Sequence, residues 1–235
     1  MKIKIRIYSF TVICAFLILL TACKKKDSDN NNDNQTPNTT ITDIDGNVYH
    51  SITIGTQVWM VENLKTTHFN DGTEIPLVTD NTAWGNCTTS GYCWYKNDQA
   101  SYGNIYGALY NWYTVNTGNL CPTGWHVPTD AEWTTLTIYL GGETIAGGKL
   151  KETGTIHWSS PNTGATNETG FTALPGGFRD YDGGFKGIGD LGVWWSATDY
   201  YSVCAWGRCM GFSNSAVTRL NNDLKLGFFV RCVRD

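Results

Sequence analysis

Six cysteines hold the first chemical possibility in this chain. Of 8 in 235 residues, Cys14 and Cys23 fall in an N-terminal segment considered below. Cys87, Cys93, Cys121, Cys204, Cys209 and Cys232 remain. An even number in an exported domain points to disulfides, although spacing alone leaves the pairing open. Short loops suggest Cys87 with Cys93, and Cys204 with Cys209. The four histidines, His50, His68, His126 and His157, never pair with another His or Cys at i+3 or i+4. No zinc spacing exists, therefore, and there is no Gly-x-Ser-x-Gly, phosphate-binding glycine loop or Rossmann fingerprint. His126 and Glu132 read as structural hydrogen-bonding residues. Asp180, Asp182 and Asp190 carry hard oxygens that would suit calcium, but in a Gly-rich stretch they read as solvated turn residues. No metal and no cofactor is expected.

The aromatic residues offer binding chemistry instead. The chain has 10 Trp, 12 Tyr and 9 Phe. Trp194 and Trp195 are adjacent, so in a strand they point to opposite faces. One would enter the core and the other lie exposed. With Tyr181, Phe185, Tyr200, Tyr201 and Trp206 they would form an aromatic platform over residues 176–206. Flat rings suit the C–H faces of sugars, and Arg179, Asp182 and Asp199 would hydrogen-bond hydroxyls. Ordinary core burial is the competing reading for most of these rings.

The N-terminus supplies an address. Lys2, Lys4 and Arg6 precede an apolar run from Tyr8 to Leu20. That run is shorter than the ~20 residues of a membrane-spanning helix and suits a signal peptide. Leu20-Thr21-Ala22-Cys23 resembles the bacterial lipobox. Residues 1–22 are therefore expected to be cleaved and Cys23 to be lipidated. Residues 23–40 would be a tether, since Lys24 to Thr40 contains no aromatic or aliphatic side chain to offset chain entropy. Lys24 in place of Asp argues against inner-membrane retention, so an outer-membrane or cell-surface location with a lipid contact is expected. The full chain carries a net charge of −4. Without Lys2, Lys4 and Arg6, 14 of the 17 basic residues face 21 acids, giving −7. Such a surface repels phosphate backbones, so nucleic acid is not a partner.

Residues 41–235 read as one domain without a second linker. Val48 to Ile54 alternates like a half-buried strand, and Gln57 to Val61 reads as its hairpin partner. Residues 80–105 read as loop, and 108–113 as either helix or strand. The clearest helix opens at Thr129, where Glu132 completes a capping box and Trp133, Leu136 and Leu140 share a face. Gly141-Gly142 stops it. A long Gly-, Asn- and Thr-rich stretch follows to Trp195, and strands return at 192–196, 203–212 and 226–233. Mixed short strands, one capped helix and long irregular loops make an α+β fold.

Several blocks resemble the Fibrobacter succinogenes major paralogous domain. They are Ile54-Gly55-Thr56-Gln57-Val58-Trp59-Met60-Val61-Glu62-Asn63-Leu64, Tyr106 to Trp112, Cys121 to Trp133, Gly170 to Gly177, Trp194 to Thr198, and Gly227 to Arg234. Pro128 to Trp133 and the Gly-Phe…Val-Arg ending are also similar to the formylglycine-generating-enzyme group. That similarity implies a C-type-lectin-like fold and a Cys121–Cys232 disulfide. It also implies an alternative for Cys204 and Cys209, as a thiol pair of a copper oxidase, since soft thiolates suit copper(I). The main expectation is a non-catalytic, lipid-anchored module that binds an extracellular glycan or protein. A structural subunit of a surface assembly is the third reading.

Overall fold

The computed structural model describes residues 40–235. The expected signal peptide, Cys23 and all of the expected tether except Thr40 lie outside the described residues.

The first sheet grows from a hairpin. Val48–Ile54 (β2) alternates exposed and buried positions, with Tyr49, Ser51 and Ile54 turned inward. Gly55 and Thr56 return the chain into Gln57–Met60 (β3), with Ile54 opposite Gln57. Gly55 has φ +63°, which suits the first position of a two-residue hairpin turn. Thr40–Thr42 (β1) pairs along the outer side of β2. Trp125–His126 (β6) and Val233–Arg234 (β12) complete the sheet, in the order β1-β2-β3-β12-β6. The first and last described strands thus lie in one sheet, and the Cys121–Cys232 disulfide links the segments that lead into β6 and β12. Its ends are 111 residues apart in sequence. Loop-closure entropy puts its stabilisation at roughly 4–5 kcal/mol.

The second sheet contains Gly176–Arg179 (β7), Phe185–Ile188 (β8), Leu191–Tyr200 (β9), Cys204–Gly211 (β10) and Val217–Asp223 (β11). Their order is β11-β10-β9-β7-β8, antiparallel except where β7 meets β9. Tyr92–Cys93 (β4) and Leu109–Tyr110 (β5) form a separate pair. Helices are few: Asn81–Asn86 (α1), Asn104–Tyr106 (α2), Trp112–Val115 (α3), Asp130–Tyr139 (α4) and Glu143–Leu150 (α5). The architecture is α+β. Helix α4 has the expected capping box, with Thr129 Oγ1 accepting from Glu132 N and the Glu132 carboxylate accepting from Thr129 N. Trp133, Leu136 and Leu140 are its buried face.

Several parts of the chain differ from expectation. Helix α5 was unexpected because Gly147 and Gly148 argue against a helix. The fold needs both: a Cβ on Gly147 would stand 2.3 Å from Ala216 O, and one on Gly148 2.4 Å from Gly164 O. Strand β11 is an edge strand with mostly exposed residues, so it carries no apolar alternation. Residues 226–233 run extended but join the sheets mainly through single bridges, Tyr110 to Phe228 and Trp194 to Phe229. Residues 108–113 hold both β5 and the start of α3, and residues 80–105 hold α1, β4 and short turns.

The two sheets and α4 meet at a buried cation. Arg231 is fully buried and makes no ion pair among the described residues, with Glu62 acting on it only through its charge. Its Nε and Nη2 donate to Asn63 Oδ1 at 3.1 and 3.0 Å, and Nη1 donates to Phe171 O. The guanidinium lies 4.0 Å from the Phe171 ring centroid. The same Asn63 oxygen accepts from Trp194 Nε1 at 2.8 Å, while Asn63 Nδ2 donates to Tyr106 O at 2.7 Å. Gly107, at φ +91°, lets the chain pass there, since a Cβ would stand 2.8 Å from Asn63 Cβ. Burial pulls the Arg231 pKa down to about 9, which still leaves it protonated at neutral pH. Trp59, Trp133, Phe171 and Trp194 pack around this point, with Trp59 and Trp133 4.8 Å apart.

Asn63→Ala removes one oxygen and strands three buried donors, two of them on a charged group. The expected loss is about 3–5 kcal/mol, read by urea denaturation. A loss below about 1 kcal/mol would show that the hub is not what holds the two sheets together.

Candidate functional site

The expected platform over residues 176–206 divides into buried and exposed parts. Strand β9 lies between β10 and β7, and both of its faces are covered. Trp194 and Trp195 are each 0% exposed, so neither offers a face to a ligand. Trp195 Nε1 donates to Tyr110 O at 2.8 Å, and its ring lies 4.3 Å from Phe228. Adjacent positions do point oppositely, but each finds a core cluster on its own side.

Arg179 is likewise buried and committed. Its Nε donates to Gly183 O at 2.9 Å, and Nη2 to Thr79 O and Asn81 Oδ1. Trp84 and Phe185 sandwich it at 4.5 and 4.8 Å. The guanidinium clamps the β7–β8 turn to the start of α1 and has no reach toward a sugar hydroxyl. Tyr181 and Asp182 are exposed at that turn, where Asp182 Oδ1 accepts from Gly184 N. Asp180 pairs with Lys186. Asp190 closes a turn through its backbone N–H to Gly187 O. These aspartates therefore organise loops.

Three aromatics gather at the β9–β10 hairpin, with Tyr201 exposed and Tyr200 and Trp206 half-buried. Tyr200 packs edge-on against Tyr201 and at a tilt against Trp206, each at 4.5 Å between centroids. Arg219 from β11 lies 3.3 Å over the Trp206 ring. Its Nε and Nη2 also donate to the two oxygens of Asp130 at 2.9 Å each. Buried Arg208 reaches Asp130 Oδ1 at 2.8 Å. Burial pushes the Asp130 carboxyl up, but the two guanidiniums outweigh it and hold the pKa below the usual carboxylate range. The N-terminus of α4 is thus wired through Arg219 to the indole under the hairpin. Tyr201, with φ +58°, is 74% exposed at the tip, and Val203 beside it is 65% exposed. Asp199 is exposed on the same hairpin. Arg219 was not legible as part of this cluster, because only strand pairing places Arg208 beside it across β10 and β11.

Four cysteines remain thiols: Cys87, Cys93, Cys204 and Cys209. Cys204 and Cys209 lie five residues apart on one strand, on the order of 15 Å at ~3.3 Å per residue. A disulfide needs Cα atoms within about 7 Å, so that bridge cannot close, and the two sulfurs cannot share one copper ion either. Burial also lifts the Cys209 thiol to about 11, away from the thiolate a metal needs. Cys87 faces Thr89 and Asn111 outside β4, whereas Cys93 points into the core, where burial raises its thiol to about 12. The Cys87–Cys93 bridge is therefore not made.

Each histidine is taken by a carboxylate: His50 by Glu62, His68 by Asp45, and His157 by Glu152. His126 is held by two, Nε2 to Glu132 Oε1 at 2.8 Å and Nδ1 to Asp235 Oδ1 at 2.6 Å. It locks the last residue to the first turn of α4. Partial burial works against the charged ring, but the hydrogen bonds and charges of Asp235 and Glu132 exceed it, so the pKa is raised. Among the described residues, no three His, Cys, Asp or Glu side chains are placed to hold a metal ion.

Fold and surface together define a disulfide-braced α+β domain with curled sheets, a buried cationic hub and long loops. Residues 52–234 match the Fibrobacter succinogenes major domain, and the chain belongs to that family. No curated protein and no solved structure matches it.

Two outcomes follow. Because the folded pKa of His126 is raised, its contribution to stability is complete below the unfolded value near 6.5 and is lost as pH rises through the folded value. The stability gap between the native chain and His126→Gln should therefore be widest on the acid side and shrink above neutrality; a gap that widens with pH would contradict the pairing. With a thiol-specific reagent, buried Cys93 should react only after denaturation, whereas Cys87 and Cys204 should react in the native state.

Proposed function

We propose that this protein is a lipid-anchored, non-catalytic binding module on the outer membrane or cell surface. It engages an extracellular partner through the tip of the β9–β10 hairpin. The lipobox-like Leu20-Thr21-Ala22-Cys23 and the polar stretch after it support the anchor. The pairing of the first and last described strands in one sheet is compatible with a C-type-lectin-like fold.

The exposed Tyr201 carries the reading of the surface. Tyr201 and Val203 make an exposed apolar tip, and contiguous exposed apolar patches mark interaction surfaces. The tip is also braced, since Tyr200, Trp206, Arg219 and Asp130 form a continuous support below it. Of the two partner classes, a protein fits this surface better than a glycan. Arg219 covers one face of Trp206 and Tyr200 packs against the ring, so the indole offers no open plane for a sugar. Tyr201 projects instead as a convex anchor of the kind that fills a pocket at an interface core.

A photo-crosslinking amino acid at Tyr201, expressed in the native cell, tests this directly. One discrete adduct is expected, absent when the same probe replaces Ile156, which is also exposed. Palmitate labelling of Cys23 checks the anchor in the same cells. Equal labelling of many proteins from both positions, or none from Tyr201, would refute the hairpin as the docking surface.

A further inference from the structure

A second surface lies away from the hairpin, where the two open edges of the first sheet approach each other. Strands β1 and β6 are the outermost strands of that sheet. Residues of both nevertheless line a single open cleft of about 570 Å³. The sheet therefore curls until its edges face across a gap. That volume lies within the ~300–1,000 Å³ range of small-molecule sites.

The chemistry of the lining is specific. Arg234 on β12 stands directly opposite Trp125 on β6 in an antiparallel pair, which puts both side chains on one face of the sheet as immediate neighbours. Arg234 is exposed, and among the described residues its guanidinium has neither a hydrogen bond nor an ion pair. Asp235 next to it is engaged by His126. Trp125 is half-buried, and no cation lies over its ring among the described residues. Asp43 also lines the cleft, but its carboxylate is filled by Asp45 N, Asn47 N, Asn47 Nδ2 and Tyr49 Oη. The cleft thus presents one cation with free donors, Arg234, and one half-buried indole packed on its inner side against the core, while Asp43 keeps its negative charge with its oxygens taken by neutral donors. Around them stand the hydroxyls of Thr42 and Thr123 and the free Oδ1 of Asn70, whose Nδ2 is used on Cys121 O.

We propose that this cleft binds an acidic saccharide, its carboxylate on Arg234 and a sugar ring on Trp125. A guanidinium fork matches a carboxylate with two parallel hydrogen bonds. The indole face accepts the C–H side of a pyranose, and the surrounding hydroxyl and amide groups satisfy ring hydroxyls. A purely apolar acid would leave those polar groups unpaired, and a neutral sugar would leave the guanidinium unused. The site is independent of the hairpin.

Calorimetric titration of the full-length protein in detergent micelles tests it. The probes are trisaccharides of galacturonic, glucuronic and mannuronic acid, their neutral hexose counterparts, and an oligoglutamate peptide. At least one uronate should bind, with its neutral counterpart at least about tenfold weaker. Arg234→Gln should bring the uronate to the level of the neutral sugar without changing the melting temperature, and Trp125→Phe should weaken both sugars. Tyr201→Ala should leave this binding untouched, which separates a failure here from a failure of the hairpin reading. Equal binding of acidic and neutral sugars, no uronate binding, equal binding of oligoglutamate, or an unaffected Arg234→Gln variant would overturn the proposal.

Discussion

The fold depends on one amide oxygen. Asn63 Oδ1 receives Arg231 from the C-terminal segment and Trp194 from the second sheet, while its own Nδ2 grips the chain before β5. A buried guanidinium without a carboxylate partner is tolerable only when its donors are spoken for and its flat faces are covered. Both conditions hold here, through Asn63, the Phe171 carbonyl and the Phe171 ring. Five distant parts of the chain must arrive together for this to happen. That requirement specifies one arrangement of the sheets more sharply than apolar burial, which is indifferent to direction.

The same device recurs at other joints. Arg179 lies between Trp84 and Phe185 and donates to carbonyls of the Val78–Thr79 segment and Gly183. Lys151, fully buried, donates to the carbonyls of Thr163, Gly211 and Asn214 at 2.8 to 3.0 Å and lies 5.2 Å from the Trp158 ring. Burial lowers its pKa to about 8. Loop carbonyls have no ladder partners, and buried ones left unpaired are costly. A long cationic side chain supplies several donors from one residue, and a neighbouring ring covers its desolvated face. This is how a loop-rich chain satisfies its backbone without more helix or sheet.

Much of the frame was readable in the residues, and the parts that were not share a cause. Turn glycines, the alternation of β2 and the Thr129 capping box are local signals, and the chain obeys them. Helix α5 was invisible because its glycines answer to Ala216 and Gly164, residues brought near only by folding. Strand β11 was invisible because its partner, β10, gives it a place that its own side chains do not advertise. The adjacent tryptophans misled because a central strand in a two-sided core buries both of its faces. Arg179 misled for a similar reason: its charge suggested solvent, and its use is internal. The cleft at Arg234 was not anticipated, since nothing local links β1 to the β6–β12 pair across a curled sheet.

The Cys121–Cys232 bond has a mechanical corollary. A pull applied between Thr40 and the hairpin tip passes through residues 40–120 as a single strand of chain. At Cys121 it divides, because Tyr201 lies inside the covalent ring and can be reached along two arms. The shorter arm, residues 201–232, limits how far the ring can lengthen, so the remaining slack in the longer arm is never drawn out. Under tension residues 40–120, which hold β1 to β3, are therefore the longer extensible element, and the ring bearing Tyr201 lengthens no further than its shorter arm allows, roughly 100 Å at ~3.3 Å per residue.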